Sequence, residues 1–91
     1  MPVTIVLPTA LQRFTDGKER VEVQGDTVGA ALTALASGAP KLSSQLFDSK
    51  GSIRSFVNVY LGDEDTRFLS GAQTPLAEGD VLTIVPSIAG G

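Results

Sequence analysis

Cysteine and histidine are both absent from this 91-residue chain, and tyrosine and methionine occur once each. Without cysteine there is no disulfide and no thiolate nucleophile, and without histidine there is no imidazole for acid–base work. Together the two absences remove the usual soft metal ligands, so no metal site is expected. No apolar run approaches the roughly 20 residues that a membrane-spanning helix needs. Basic clusters are also missing. Seven scattered Lys and Arg face ten Asp and Glu, a net charge of −3, which argues against a nucleic-acid binder. After Met1 and Pro2 the chain runs straight into strand-like residues, without the basic-then-apolar pattern of a secretory leader. A cytoplasmic location is expected from that.

What is present reads as one ordinary domain, with 42% hydrophobic and 19% charged residues. Residues 3–7 (Val-Thr-Ile-Val-Leu) are β-branched and apolar, and stop at Pro8. They predict a strand, central in the sheet and buried on both faces. Residues 8–12 read as a connection, and Asp16-Gly17 as a turn. Residues 19–24 alternate, with Val21 and Val23 inward and Glu22 outward, as an edge strand does. Thr27 is placed to cap a helix, and Val28, Ala31, Leu32 and Leu35 share one helical face. Gly29 inside that helix implies close packing, here expected against the sheet. Gly38 is expected at the C′ position.

Residues 41–47 predict a short second helix with Leu42, Leu46 and Phe47 on the core, and residues 54–61 a strand with Val57, Val59 and Leu61 on one face. Gly62-Asp63-Glu64-Asp65 reads as an acidic turn, either solvated or paired with a basic partner. Residues 66–69 predict a very short strand and residues 70–75 a loop. Residues 81–85 form the last strand, stopped by Pro86. The order predicts an α+β fold: a mixed sheet of four to five strands, one main helix across one face, and a short second helix. With residues 3–7 and 81–85 side by side in the middle, the fold is a β-grasp. It is expected to span residues 1–86, with residues 87–91 as a flexible C-terminal tail.

That tail is Ser87-Ile88-Ala89-Gly90-Gly91. Gly90 and Gly91 have no Cβ, so they pass through a channel too narrow for other residues and leave a terminal carboxylate sterically open. The pair follows the last strand by only four residues. No catalytic side-chain set is visible, and no Gly-rich phosphate loop. The tail reads either as an ordinary Gly-containing terminus or as the working end, with chemistry at Gly91 and with Ile88, Ala89 and Gly90 as the segment that threads into a partner. If Leu82 and Ile84 face the helix, Thr83 and Val85 face outward; if Val57 and Val59 are core, Phe56, Asn58 and Tyr60 join them. Phe56, Tyr60, Thr83 and Val85 are therefore the candidate docking face, with burial of Phe56 or Tyr60 the open alternative.

Residues 57–60 (Val-Asn-Val-Tyr), 62–65 (Gly-Asp-Glu-Asp), 75–86 (Pro-Leu-Ala-Glu-Gly-Asp-Val-Leu-Thr-Ile-Val-Pro) and 88–91 (Ile-Ala-Gly-Gly) resemble the ubiquitin-like sulfur-carrier family. That family includes the small subunit of molybdopterin synthase and the thiamine-biosynthesis carrier. Residues 8–11 and 25–30 point to its cysteine-biosynthesis subgroup. The resemblance implies a carrier rather than an enzyme, with a thiocarboxylate on Gly91. It implies an ubiquitin-activating-like adenylyltransferase and sulfurtransferase using ATP, a pyridoxal-phosphate cysteine synthase as acceptor, and a metalloprotease that releases cysteine. Those cofactors belong to the partners, and none is intrinsic to this chain. A monomer is expected when the chain is free. The alternatives are molybdenum cofactor biosynthesis or another thiolation pathway and, in a different class, a non-covalent β-grasp interaction module whose tail is inert.

Overall fold

A computed structural model describes residues 2–54 and 57–86. Strand β1, Pro2–Val6, pairs antiparallel with β2, Arg20–Gln24, so that Val3 lies opposite Val23 and Ile5 opposite Val21. Between them a four-residue helix α1, Thr9–Gln12, runs into a 3-10 turn at Arg13–Thr15. The chain then reverses through Asp16 and Gly17, both at positive φ (57° and 83°), a conformation that Asp and Gly tolerate. The connection expected at residues 8–12 is thus partly helical. Pro8 starts it, and the Gln12 amide ties it back by donating to the Leu7 carbonyl at 3.1 Å.

Helix α2, Val28–Ser37, starts at Thr27, whose hydroxyl accepts from the Ala30 N–H at 3.1 Å. Its buried residues are Val28, Ala31, Leu32, Leu35 and Ala36, one continuous stripe. Gly38 caps the helix at φ −90°, so the left-handed freedom expected of it is not used. Helix α3, Pro40–Leu46, follows directly with proline in its first turn, and buries Leu42 and Leu46. Strand β3, Val57–Leu61, turns at Gly62 into a two-residue strand β4, Glu64–Asp65. Two 3-10 turns, Thr66–Phe68 and Gly71–Gln73, lead to the last strand β5, Val81–Pro86.

The sheet has the order β2-β1-β5-β3-β4. The first and last strands lie parallel in the middle and the other neighbours are antiparallel. With α2 packed on one face, this is the expected β-grasp. The hydrophobic core lies between α2, α3 and the sheet face carrying Val3, Ile5, Val57, Val59, Leu82 and Ile84. Strand β1 is central as expected, but only one of its faces is fully buried: Thr4 and Val6 are half-covered. In place of the strand expected at residues 66–69 there is a 3-10 turn, Thr66–Phe68, with Leu69 at its end. Gly29 packs not on the sheet but on the Gly71–Gln73 turn, where a Cβ would sit 3.1 Å from the Ala72 carbonyl oxygen.

Candidate functional site: the open sheet face and the end of the last strand

Side chains alternate along a strand, so the residues that α2 does not cover form a second face. Register fixes its membership. Tyr60 lies opposite Thr83 and Asn58 opposite Val85, while Val6 lies beside Thr83 on the other flank. Tyr60 and Thr83 are half-buried, and Val85 is 39% exposed. Three of the four candidate docking residues therefore share one face with Asn58. Tyr60 is neither a core residue nor fully open. Phe56, Ile88, Ala89, Gly90 and Gly91 lie outside the described residues. The last described residue, Pro86, stands opposite Val57, the first residue of β3.

A polar clamp borders this face, and sequence reasoning missed it. Asp65 lies opposite Tyr60 and is only 9% exposed. Its Oδ1 accepts from the Arg67 backbone N–H at 2.9 Å, and its Oδ2 from the Arg67 guanidinium at 3.0 Å. The same guanidinium donates to Asn58 Oδ1. Side-chain and then backbone hydrogen bonds from Arg67 hold the Asp65 carboxyl below its ordinary pKa, against the opposing effect of burial. Asp65 in turn raises the pKa of Arg67. The acidic turn is thus divided. Asp63 and Glu64 are exposed, whereas Asp65 is a structural cap and not a free docking charge. The Asp65-x-Arg67 spacing was the available signal.

A concavity of about 440 Å³ opens on the other side of the sheet, between α2, residues 47–54 and residues 66–72. Its floor is Val57 and Val59 and its rim includes Thr33, Phe47 and Ile53. Tyr60, Thr83 and Val85 do not line it. Among the described residues no group of three or more Asp or Glu gathers to hold a metal ion, and no helix is long and apolar enough to cross a membrane.

Known proteins share this arrangement. The model of the ThiS family matches residues 5–91, through to the Gly-Gly end. The chain belongs to the ThiS family of ubiquitin-like sulfur carriers. It is 43% identical over 93 residues to the sulfur carrier protein CysO of Mycobacterium tuberculosis, covering all of both chains. The solved structure of the BexX/CysO complex of Amycolatopsis orientalis superposes with a TM-score of 0.88 at 37% identity, over 98% of this chain and 99% of that one. Small archaeal modifier protein 1 of Haloferax volcanii is 40% identical over 73 residues, 79% of each chain. These relatives are carriers and modifiers, and the chain is accordingly a sulfur carrier rather than an enzyme.

Proposed function

We propose that this carrier bears sulfur as a thiocarboxylate on Gly91 and donates it for cysteine biosynthesis. The observation that carries the reading is the full-length 43% identity to a sulfur carrier named CysO, in a chain that ends in Gly90-Gly91. A carboxylate is a poor electrophile until it gains a leaving group. In the proposed cycle an adenylating partner joins a Gly91 carboxylate oxygen to the α-phosphate of ATP, releasing pyrophosphate. A sulfur nucleophile then attacks the acyl carbon and AMP leaves, which exchanges one oxygen for sulfur. The tail, with Ile88, Ala89 and Gly90, next enters the active site of a pyridoxal-phosphate cysteine synthase. A metalloprotease releases the product. ATP, pyridoxal phosphate and the metal all belong to the partners, and the carrier acts in the cytoplasm as a monomer when unbound. Tethering holds the sulfur at high effective concentration and avoids free sulfide.

Docking through Phe56, Tyr60, Thr83 and Val85 fits a chain of this kind, and the BexX/CysO complex supports protein partnership as its way of working. The test is mass spectrometry of the pure protein after incubation with ATP, sulfide and an extract of its host. Replacement of one oxygen by sulfur on Gly91 is expected, followed by an attached cysteine. An unchanged Gly91, in an extract that loads a known carrier, overturns the reading. A second reading is favoured by the likeness to a small archaeal modifier protein: the same activated Gly91 is joined to an amine of a target protein. Its signature in that experiment is a protein conjugate in place of attached cysteine.

A further inference from the structure

Phe68 is 86% exposed, and Leu69 beside it is 40% exposed. With Val85 they are the exposed large hydrophobic residues of the described chain. An open phenyl ring is costly to leave in water, yet the backbone that carries it is not loose. Thr66 donates its hydroxyl to the Val59 carbonyl at 2.9 Å in a buried bond. Arg67 is fixed from both sides by Asp65 and Asn58. Just beyond the ring, the Leu69 N–H donates to the Thr66 carbonyl at 3.0 Å, and the Ser70 N–H to the Thr74 hydroxyl at 3.0 Å. The fold thus holds this segment in place before any partner arrives, so little ordering is left for binding to accomplish.

The position matters as much as the exposure. The segment continues from β4 along β3, and its Arg67 reaches Asn58, the residue opposite Val85. In the order β5-β3-β4, the strand β4 from which it continues lies two strand spacings, about 10 Å, from β5. The five residues after Pro86 reach at most roughly 17 Å when extended. A standard interface covers about 800 Å² per partner, roughly 30 Å across. A protein that receives Gly91 while seated against this end of the sheet is therefore large enough to cover Phe68 as well. It has reason to use it, because Ile88 is the one sizeable apolar side chain of the tail, Ala89 adds a single methyl group, and Gly90 and Gly91 add none. The folded domain must then supply much of the binding energy.

We propose that Phe68, supported by Leu69, is the apolar anchor by which the protein that activates the Gly91 carboxylate holds this carrier, in an apolar pocket of its own. The proposal rests on the carrier reading above. Its test uses the full chain. Initial rates of thiocarboxylate formation on Gly91 are measured against carrier concentration, with ATP, sulfide and host extract, for the wild type, Phe68→Ala and Phe68→Leu. Phe68→Ala is expected to raise the half-saturating concentration roughly ten- to hundredfold and leave the maximum rate and the melting temperature unchanged. Phe68→Leu falls between. A half-saturating concentration within twofold of wild type overturns the anchor. So does a concentration-dependent dimer that Phe68→Ala abolishes while loading stays normal, since the occupant is then a second copy. Failure of the wild type itself to load, beside a reference carrier that loads, instead sinks the carrier reading.

Discussion

On the helix side of the sheet Val3, Ile5, Val59, Leu82 and Ile84 are each at most 2% exposed. Their chain neighbours Thr4, Val6, Asn58, Thr83 and Val85 are half-buried or exposed. The two faces share strands and backbone hydrogen bonds, so the difference lies in what covers them. One face has α2 and α3 across it and selects for volume. Among the described residues no helix lies across the other, and its half-buried residues combine apolar and polar groups, as a surface that takes part in reversible contacts does. A carrier needs both. The covered face makes the domain a rigid handle, and the open one leaves area for partners beside the point where the tail departs.

The comparison breaks most sharply at adjacent residues of β5. Leu82→Ala removes a fully buried side chain and is expected to cost about 2–5 kcal/mol, a large part of the roughly 5–15 kcal/mol that holds a domain of ordinary stability. Thr83→Ala, one residue on and facing the other way, is expected to cost less than about 1 kcal/mol. Urea denaturation of both variants checks this, and similar losses at the two positions contradict the division between faces.

Next in size is the entry to α2. A Cβ on Gly25 would lie 2.7 Å from the Ala31 backbone nitrogen and 2.8 Å from its Cα, inside any real contact. Gly25→Ala is expected to cost about 1–3 kcal/mol through a backbone shift. Thr27→Ala, which loses the cap on Ala30 N–H, costs about 1 kcal/mol. Both act on the covered side. If thermal unfolding shows Thr27→Ala to be the worse of the two, the strand-to-helix connection is softer than its geometry implies.

Most of the covered face was legible in the sequence, because burial on one side of a strand or helix writes itself as a period. Residues 28–35 and 54–61 carried that period, and residues 3–7 and 81–85 read as apolar β-branched runs; each formed the expected element, although β3 is Val57–Leu61 where 54–61 was expected. What was lost is governed by single side-chain bonds. Thr66-Arg67-Phe68-Leu69 looks like a short strand, but Asp65 accepts from the Arg67 N–H and turns the chain into a 3-10 helix instead. The four residues of α1 are too few to show a helical period. Gly29 announced a close approach but not its partner, since Ala72 comes near only in the folded chain. At the candidate site, alternation placed Tyr60, Thr83 and Val85 together. Phe68 could not be picked out, because a phenylalanine in a strand-like pattern carries no mark of being exposed.

The smallest expected effect sharpens the border between the faces. In the folded chain Asp65 holds its proton more weakly than an ordinary carboxyl group, because Arg67 bonds to the charged form. The unfolded chain keeps the ordinary carboxylate pKa near 3.9 and so takes up the proton first as pH falls. Stability from the clamp is therefore complete above that value and is lost as pH falls toward and through the lower folded value. Arg67 is charged throughout that range and adds no slope of its own. Its side chain is 58% exposed, so solvent and salt weaken the pair. The expected signature is a shallow acid-side decline in melting temperature that Asp65→Asn flattens and that added salt reduces. The variant keeps one oxygen that can still accept from the Arg67 backbone N–H, but removes the charge and the second oxygen that accepts from the guanidinium. If the clamp sets how Phe68 is presented, Asp65→Asn raises the half-saturating concentration for loading at neutral pH, by less than Phe68→Ala does. An unchanged acid limb in Asp65→Asn would assign the decline to other carboxylates and leave Asp65 as a turn-forming residue only.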